Sequence, residues 1–300
     1  MKSKMTEAPE PKDKLDAATA SAVVVSGPED DAERWRQVDW RRAEADVRRL
    51  RQRIFTASKA GDLPRVRRLQ KLMLRSRANT LLSVQRVTER NAGRLTAGVD
   101  GEVVLTPEAK MQLVDRVQQN AEPFKAAPVR RVYIPKRGST KRRPLGIPVI
   151  VDRCHQARVL SALEPEWEAR FEPKSYGFRP GRGCQDAIQA IYTVAKGKSA
   201  KRLWALDADL ASAFDLIAHD HILNQLGSFP ARGMIRAWLK AGVIEQGRLH
   251  RSEDGVPQGG VISPLLLNVA LHGMEHAAGV RYRPTGNRAG WTMKDSPVLI

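Results

Sequence analysis

The fold is decided by the stretch Gly255-Val-Pro-Gln-Gly-Gly-Val-Ile-Ser-Pro-Leu-Leu-Leu-Asn268. Its two adjacent glycines, Gly259 and Gly260, carry no side chain, so another backbone can approach this turn closely. Gln258 offers both a hydrogen-bond donor and an acceptor. Because Ser263 precedes a proline and an apolar run, the pattern predicts a buried helix that starts there. The stretch therefore predicts a close-approach turn that leads into a core helix.

A second segment, Asp209-Leu-Ala-Ser-Ala-Phe-Asp215, follows an apolar run at residues 203–206. The run predicts a short buried strand that carries Asp207 and Asp209 on one face. Buried carboxylates are costly unless a cation or hydrogen bonds compensate them. Magnesium prefers one or two carboxylates together with substrate phosphates, so a metal-bound phosphoryl-transfer site is one interpretation. A capping or edge-strand aspartate is the other, and the spacing alone leaves both open.

The net charge indicates the partner. The 300 residues hold 51 Lys and Arg against 33 Asp and Glu, a formal net charge of +18. A domain this basic repels itself unless a polyanion neutralises it, so nucleic acid is the expected partner. The charge is also clustered, since residues 36–94 hold seventeen basic and five acidic residues. An anionic membrane surface is the rival partner, but the sequence contains no lipid-anchor motif or apolar span, so no membrane contact is expected.

Two cysteines cannot build a disulfide framework or a zinc site, and no secretory signal is present. A cytoplasmic location is therefore expected. Residues 1–34 have no periodic apolar face and are predicted to form a disordered tail.

Two helices on either side of Gly61-Asp62 are predicted to form a basic hairpin, with Asp62 as the N-cap of the second. Apolar residues recur at helical spacing in both, at Val47, Leu50 and Ile54 and again at Val66, Leu69 and Met73. The opposite faces are rich in arginine and poor in acids, which favours contact with RNA over a merely solvated surface. The side chains predicted to bind RNA are Arg65, Arg68, Lys71 and Arg75.

The remaining pattern predicts an α+β chain. A turn-rich linker is expected at residues 91–101 and a helix after Thr106. A β-hairpin with a basic turn is expected from residues 129–135 and 143–151. Helices are expected at residues 151–170 and 186–196, and a further helix should end at Leu226 before Gly227.

Five segments, in this order, resemble the N-terminal part of group II intron-encoded proteins, which are reverse transcriptases with RNA-splicing (maturase) activity. The first three are Leu69-Gln-Lys-Leu with Val84-Gln-Arg-Val-Thr and Thr96-Ala-Gly-Val-Asp-Gly101; Arg130-Arg-Val-Tyr-Ile-Pro-Lys136 with Arg143-Pro-Leu-Gly-Ile-Pro148; and Ser175-Tyr-Gly-Phe-Arg-Pro-Gly-Arg-Gly183. The other two are the palm segments quoted above. The resemblance implies a basic helical N-terminal extension over 35–101, right-hand fingers over 102–202 and an incomplete palm over 203–300.

The resemblance also implies roles for single residues around the nucleotide. Asp209 matches the first catalytic, metal-binding aspartate, which leaves Asp207 a structural role. Phe214 matches the side chain that lies under the incoming sugar and rejects a 2′-hydroxyl. Lys136 and Arg143 match the cations that hold the triphosphate; the substitutes for them would be Arg142 or Arg137.

Three further residues are placed near the template by the same resemblance. Gln258 and Gly259 are expected beside the templating base pair. Arg179 is expected near the template, where it either contacts the strand or shapes the fold. RNA-backbone contact remains the alternative role of the fingers cations.

The family uses two magnesium ions held mainly by three aspartates, two of them in a Tyr-x-Asp-Asp turn. The only aspartate in residues 281–300 is Asp295. The chain is therefore expected to be truncated before that turn and to be inactive alone as a polymerase. The implied partners are group II intron RNA, a DNA primer or target, deoxynucleoside triphosphates and a complementing C-terminal fragment. Two alternatives stay open: a non-catalytic RNA-binding protein that assists splicing, and a related bacterial defence-type reverse transcriptase.

Overall fold

The computed structural model describes residues 29–119, 124–136, 138, 140–196 and 205–280. Within these residues it holds twelve α-helices and one four-stranded sheet. No helix in these ranges is both long and apolar enough to cross a membrane. The helices are α1 (Glu29–Arg36), α2 (Trp40–Lys59), α3 (Leu63–Arg75), α4 (Arg77–Gln85), α5 (Pro107–Gln119), α6 (Ile150–Glu168), α7 (Cys184–Ala195), α8 (Ala213–Leu216), α9 (His219–Leu226), α10 (Arg232–Lys240), α11 (Ser263–Leu271) and α12 (Met274–Ala277).

The prediction of a disordered tail over residues 1–34 is wrong for residues 29–34, because these form most of α1. Ala32 and Trp35 are buried, and Arg34 bonds Asp31 at 2.6 Å and Asp115 of α5 at 3.3 Å. These contacts fix the helix although its apolar face has only two members, too few for a periodic pattern. Residues 1–28 lie outside the described residues.

The predicted basic hairpin is confirmed as α2 and α3. Asp62 caps α3, since its side chain accepts a hydrogen bond from the Arg65 backbone N–H at 3.0 Å. Five of the six predicted apolar residues are buried, and Leu50 packs against them from a half-buried position. Most basic side chains of the pair are consequently left on its outer faces, while Arg51 and Arg67 form ion pairs with α6.

Helix α6 is the centre of the fold and packs against α2, α3, α4, α5 and α11. Its buried charges are all engaged by neighbouring elements. Glu166 accepts from Arg67 at 2.5 Å and from Gln70 at 2.7 Å. Buried charges are tolerated only when paired and hydrogen-bonded in this way, so α6 depends on these partners.

The predicted linker at residues 91–101 is instead packed against α6. Arg153 donates to the carbonyl oxygens of Gly93 at 3.0 Å and Thr96 at 2.7 Å. Gly98 lies so close to Val149 that a β-carbon there would sit 2.6 Å from the Val149 Cα. Of the glycines that suggested a linker, Gly98 therefore serves close packing.

The sheet has the order β2-β1-β3-β4. The predicted hairpin is confirmed as β1 (Val129–Pro135) antiparallel to β2 (Arg142–Ile147). Strand β2 ends at Ile147, four residues before the predicted end, because α6 already begins at Ile150. Strands β3 (Val243–Glu245) and β4 (Arg248–His250) extend the sheet, with β3 parallel to β1. They are three residues long, too short for an alternating pattern to reveal.

The buried imidazole of His155 makes stability depend on pH. Burial, reinforced by the charge of Arg158, lowers the pKa of His155 from 6.5 to about 3. The ring is therefore neutral when folded but takes up a proton on unfolding below its ordinary pKa. Its contribution is complete above that value and is lost as the pH falls toward the folded pKa, by about 1.4 kcal/mol per pH unit.

We expect a His155→Gln variant to lose this steep acid dependence of the unfolding free energy. Urea unfolding at several pH values between neutral and mildly acidic would measure it. The matched control is His276→Asn, which removes an exposed histidine of α12 in place of a buried one. An unchanged slope in the His155 variant would contradict the assignment.

Candidate functional site

A cleft of about 460 Å³ lies between the β1–β2 hairpin, the segment around α8 and the glycine-rich turn. The residues that line the hairpin wall are Arg131, Tyr133, Pro144 and Gly146. The opposite wall is lined by Phe214, Asp215, Gly255, Pro257 and Gln258, and the end of the cleft by Val243, Glu245 and His250. Segments far apart in sequence thus share one concave surface, the usual form of a binding site.

The glycine-rich turn is held against β2. The Gly146 backbone N–H donates to the Gln258 carbonyl oxygen at 2.6 Å. Gly259 has φ +119°, and a β-carbon there would lie 2.7 Å from the Gly146 carbonyl oxygen. Only glycine fits such a position without displacing the neighbouring backbone. The close backbone approach predicted for this turn is confirmed, and its partner is the hairpin.

The same turn is also held against the Asp209–Asp215 segment. The Val256 N–H donates to the Phe214 carbonyl oxygen at 2.6 Å, and the Gly255 N–H donates to the Ile217 carbonyl oxygen at 2.9 Å. A β-carbon on Gly255 would lie 2.7 Å from the Asp215 carbonyl oxygen. The two segments that decide the fold therefore form one hydrogen-bonded unit.

Helix α11 starts at Ser263, as predicted, and anchors the end of the turn. The Ser263 hydroxyl donates to the Pro257 carbonyl oxygen at 2.8 Å. From α6, the Gln156 side-chain oxygen accepts the Val261 N–H at 2.8 Å. These bonds fix the turn that presents Gln258 to the cleft.

Asp209 is placed differently from the prediction. Residues 205–210 have no regular secondary structure, and both Asp207 and Asp209 are exposed. Leu206 is 93% exposed, because no described strand pairs with this segment to cover it. The predicted buried strand is therefore absent over residues 205 and 206, while residues 203 and 204 lie outside the described ranges. Of the aspartates in this block, Asp215 lines the cleft and Asp209 does not.

The described residues do not fit a two-metal centre. Among them, no group of three or more His, Cys, Asp or Glu side chains could hold a metal ion. Two ions held mainly by carboxylates need more ligands than the single exposed carboxylate of Asp209. No step through a metal ion can be derived from these side chains.

Phe214 lies at the cleft wall beside a second aromatic ring. It packs edge-to-face against Phe178, with ring centroids 6.1 Å apart. Phe178 is 64% exposed and has φ +57°, and Ser212 has φ +53°. Positive φ is an outlier for a bulky residue and clusters at functional sites. Phe178, which belongs to the Ser175–Gly183 segment, is thus a further candidate site residue, and the strained backbone that marks it leaves no sequence signal.

The hairpin cations are only partly gathered at the cleft. Lys136 and Arg143 are exposed near the hairpin turn, and Arg137 lies outside the described residues. Arg143 pairs with Ile134, on the strand face opposite Tyr133 and its partner Pro144. The structure therefore does not direct Arg143 toward the cleft.

Two cations lie on the cleft side of the hairpin; the sequence pattern did not predict Arg131 and indicated Arg142 only as a substitute. Arg131 lines the cleft directly, and Arg142 pairs with Pro135, in register with the cleft-facing residues. Strand alternation, applied to the sequence, could have found both. The Tyr133 hydroxyl donates to Glu245, and this bond raises the pKa of Tyr133. It ties the hairpin to β3.

The four predicted RNA-binding cations lie together on α3. Arg65, Arg68, Lys71 and Arg75 are all exposed, and none forms an ion pair with another described residue. Their spacing keeps them on one side of the helix. By contrast, Arg67 turns inward to Glu166. We call the four exposed residues the α3 cationic face.

Of the two roles predicted for Arg179, template contact and shaping the fold, the structure favours the second. Its side chain is buried and bonds Glu168 at 2.9 Å and the carbonyl oxygens of Glu172 and Ser175 at 2.8 and 2.9 Å. A template contact would break this set of bonds. The expected template contact is therefore replaced by a role in shaping the loop before α7.

A Gly259→Ala substitution should loosen the turn from β2. Positive φ and the collision with Gly146 together predict a loss of about 2–4 kcal/mol in unfolding free energy. Gly61→Ala is the matched control, because Gly61 has φ +75° and nothing within 4 Å of a β-carbon. It should lose only about 1–2 kcal/mol. Equal losses in urea unfolding would show that the turn is not held against β2.

Comparison with known families gives two matches. The N-terminal domain of reverse transcriptase matches residues 35–117. The reverse transcriptase (RNA-dependent DNA polymerase) domain matches residues 134–284, which include the end of β1, all of β2, Phe214 and the glycine-rich turn. The two matches follow one another in the order of the segments described above.

Three relatives illustrate the similarity. Protein YkfC of Escherichia coli is 35% identical over 226 residues, 73% of this chain and 58% of that protein. The group II intron-encoded protein LtrA of Lactococcus lactis subsp. cremoris is 38% identical over 152 residues, 49% of this chain and 25% of that protein. Maturase-like protein 1 of Euglena gracilis is 28% identical over 251 residues, 81% of this chain and 52% of that protein. The chain thus spans less than two thirds of each relative.

Proposed function

Because the chain belongs to the reverse transcriptase (RNA-dependent DNA polymerase) family, in its group II intron-encoded and maturase branch, we propose that it binds intron RNA and positions a template strand. The α3 cationic face binds the RNA backbone, and the cleft beside Gln258 receives the template. The polymerase and splicing activities of the family are also only proposed for this chain, because the chain spans only part of the length of its relatives.

One observation carries the proposal. The hairpin, the Phe214 segment and the glycine-rich turn meet at a single cleft, joined by the Gly146–Gln258 and Phe214–Val256 hydrogen bonds. In the proposed arrangement, Gln258 and Gly259 lie beside the templating base pair and Phe214 lies under the sugar. The fixed backbone of the turn would hold these groups without further ordering, which favours binding.

The fingers cations have a separate part in the proposal. Arg131 and Arg142 bind the triphosphate of an incoming deoxynucleotide from the cleft side, and Lys136 near the hairpin turn assists them. Arg143, which lies on the other face of the hairpin, takes the alternative role of RNA-backbone contact. Guanidinium groups suit phosphate because they donate two parallel hydrogen bonds. The family depends on a divalent metal ion; magnesium, with Asp209 as one ligand, is our proposal for it.

We also propose a division of the chain into an N-terminal extension, fingers and part of a palm. Residues 35–101 would form the N-terminal extension, residues 102–202 the fingers and residues 203–300 part of the palm. The basic α2–α3 pair supports the first of these, because clustered exposed arginine and lysine are the electrostatic footprint of nucleic-acid binding.

A protein partner is proposed for the exposed apolar side chains of α7 and of the segment before α8. Ile188, Ile191 and Tyr192 of α7 are exposed, as are Leu206 and Leu210. Exposed apolar groups of this kind mark contact surfaces. We propose that a complementing C-terminal palm fragment covers them, and that adding such a fragment in trans would produce a complex in size-exclusion chromatography.

A second function is favoured by the absence, among the described side chains, of a group able to hold a metal ion: a non-catalytic RNA-binding protein that assists splicing. One preparation tests both, by RNA binding at several salt concentrations and by primer extension with magnesium. Salt-sensitive binding with complementary-DNA synthesis supports the polymerase. Binding without synthesis supports the second function, and the absence of salt-sensitive binding contradicts both.

A further inference from the structure

A second cleft lies between α2, α4 and α6, and its volume is about 400 Å³. Its floor is apolar, formed by the buried side chains of Val47 and Ala157 and the half-buried Leu82. Ser161 and Asn91 add hydrogen-bonding groups to its lining. The cleft therefore combines an apolar surface with a few polar groups, as small-molecule and nucleotide sites do.

A π-helical turn forms one wall of this cleft. It covers Arg86–Arg90 and continues directly from α4. The Asn91 N–H closes it by donating to the Arg86 carbonyl oxygen at 2.9 Å, while Val87 and Thr88 are buried beneath it. Such turns are rare and are often found at functional sites. Here the turn places both of its terminal arginines on the cleft lining.

The charge in the cleft is unbalanced. Arg86 is exposed and forms no ion pair with the described residues around it. Arg90 lies 3.4 Å from Glu44 across the cleft, and both of these side chains are largely exposed. An exposed pair of this length contributes little, so a phosphate can replace the carboxylate. Two arginines against one glutamate leave the cleft net positive.

We propose that this cleft binds one unpaired nucleotide of the RNA that the chain holds. The phosphate lies between Arg86 and Arg90, where guanidinium groups can bind it bidentately. The base or ribose packs on the apolar floor, within hydrogen-bonding range of Ser161 or Asn91. The inference rests on the proposed function, because it takes RNA as the partner. A duplex offers no free nucleotide, so the cleft should favour unpaired RNA.

The test compares two variants that each remove one exposed charge, Arg86→Gln and Arg53→Gln. Arg53 is exposed on α2 and lies outside the cleft lining. The probes are a mixed-sequence single-stranded RNA and a perfect RNA duplex of equal length. Arg53→Gln should weaken both by at most about fivefold, the effect of one phosphate contact. Arg86→Gln should weaken the single strand by about tenfold or more, and the duplex no more than Arg53→Gln does.

Equal losses on both RNAs in the two variants would overturn the inference, because Arg86 would then supply only general charge. Circular dichroism establishes that each variant is folded. If the wild-type chain binds neither RNA in a salt-sensitive way, the proposed function itself fails. If it binds RNA but Arg86→Gln behaves like Arg53→Gln, only the nucleotide cleft fails.

Adenosine monophosphate distinguishes a strand nucleotide from a free one. The proposal expects it to bind weakly, to depend on Arg86, and to compete with the single-stranded RNA. Arg86-dependent binding of adenosine monophosphate without any specific loss of single-stranded RNA would assign the cleft to a free nucleotide and overturn the proposal.

Discussion

Replacing the α3 cationic face by glutamine, in the variant Arg65→Gln, Arg68→Gln, Lys71→Gln and Arg75→Gln, should weaken RNA binding by about two to three orders of magnitude near physiological salt. With each phosphate contact that is lost, the variant releases fewer counterions from the RNA when it binds. The slope of log affinity against log salt should therefore fall by about 0.7–0.9 for each contact. A salt titration with a labelled stem-loop RNA measures both quantities.

The control separates clustering from net charge. Arg36→Gln, Arg94→Gln, Lys125→Gln and Arg236→Gln remove the same charge from four scattered, exposed positions. This variant should lose less than about tenfold in affinity. Both variants should unfold at nearly the wild-type temperature, because the replaced side chains are exposed. Equal loss of binding in the two would mean that the α3 cationic face has no special role.

The buried network around Glu166 should give the largest effect on stability. Its carboxylate is fully buried, accepts hydrogen bonds from Arg67 and Gln70, and lies 3.5 Å from the guanidinium of Arg170. Glu166→Ala leaves the Arg67 charge without its carboxylate and with only the neutral oxygens of Gln70 and Ser228 as partners, which should cost about 3–5 kcal/mol in unfolding free energy. Urea unfolding monitored by circular dichroism would measure this loss.

Two further variants test the cause of that loss. Asp46→Ala breaks only the exposed Arg49 pair at 3.4 Å and should change stability by less than about 1 kcal/mol. The double variant Arg67→Met with Glu166→Leu removes both charges, so it should be more stable than Glu166→Ala. A double variant as unstable as the sum of its single changes would show that the charges do not interact.

Elements with a long periodic apolar pattern could be predicted from the sequence. Helices α2 and α3 appeared at the predicted place, with Asp62 as the cap, since burial and capping both leave local signals. The β1–β2 hairpin followed from its alternation and its basic turn. Short elements did not, because β3, β4 and α1 owe their structure to tertiary pairing, which a local pattern does not contain.

The candidate site was predictable in its backbone but not in its side chains. The glycines of the Gly255–Gly260 turn correctly indicated close approach, since the absence of a side chain is itself the signal. Whether Arg131 or Arg143 points toward the cleft depends on which face of the hairpin the glycine-rich turn packs against. The exposure of Asp209 depends on which strands pair with its segment. The hydrogen bonds that hold Arg179 in its loop depend on Glu168 at the end of α6.

Photocrosslinking from the cleft tests the central claim most directly. A photoreactive amino acid would replace Tyr133, which lines the cleft, or Gln37, which is exposed on the surface after α1. With a labelled RNA template annealed to a DNA primer, we predict a strong crosslink from position 133 that unlabelled template-primer abolishes, and only background from position 37. Equal crosslinking from the two positions, or none from position 133 while the RNA remains bound, would contradict the assignment of this cleft to the template.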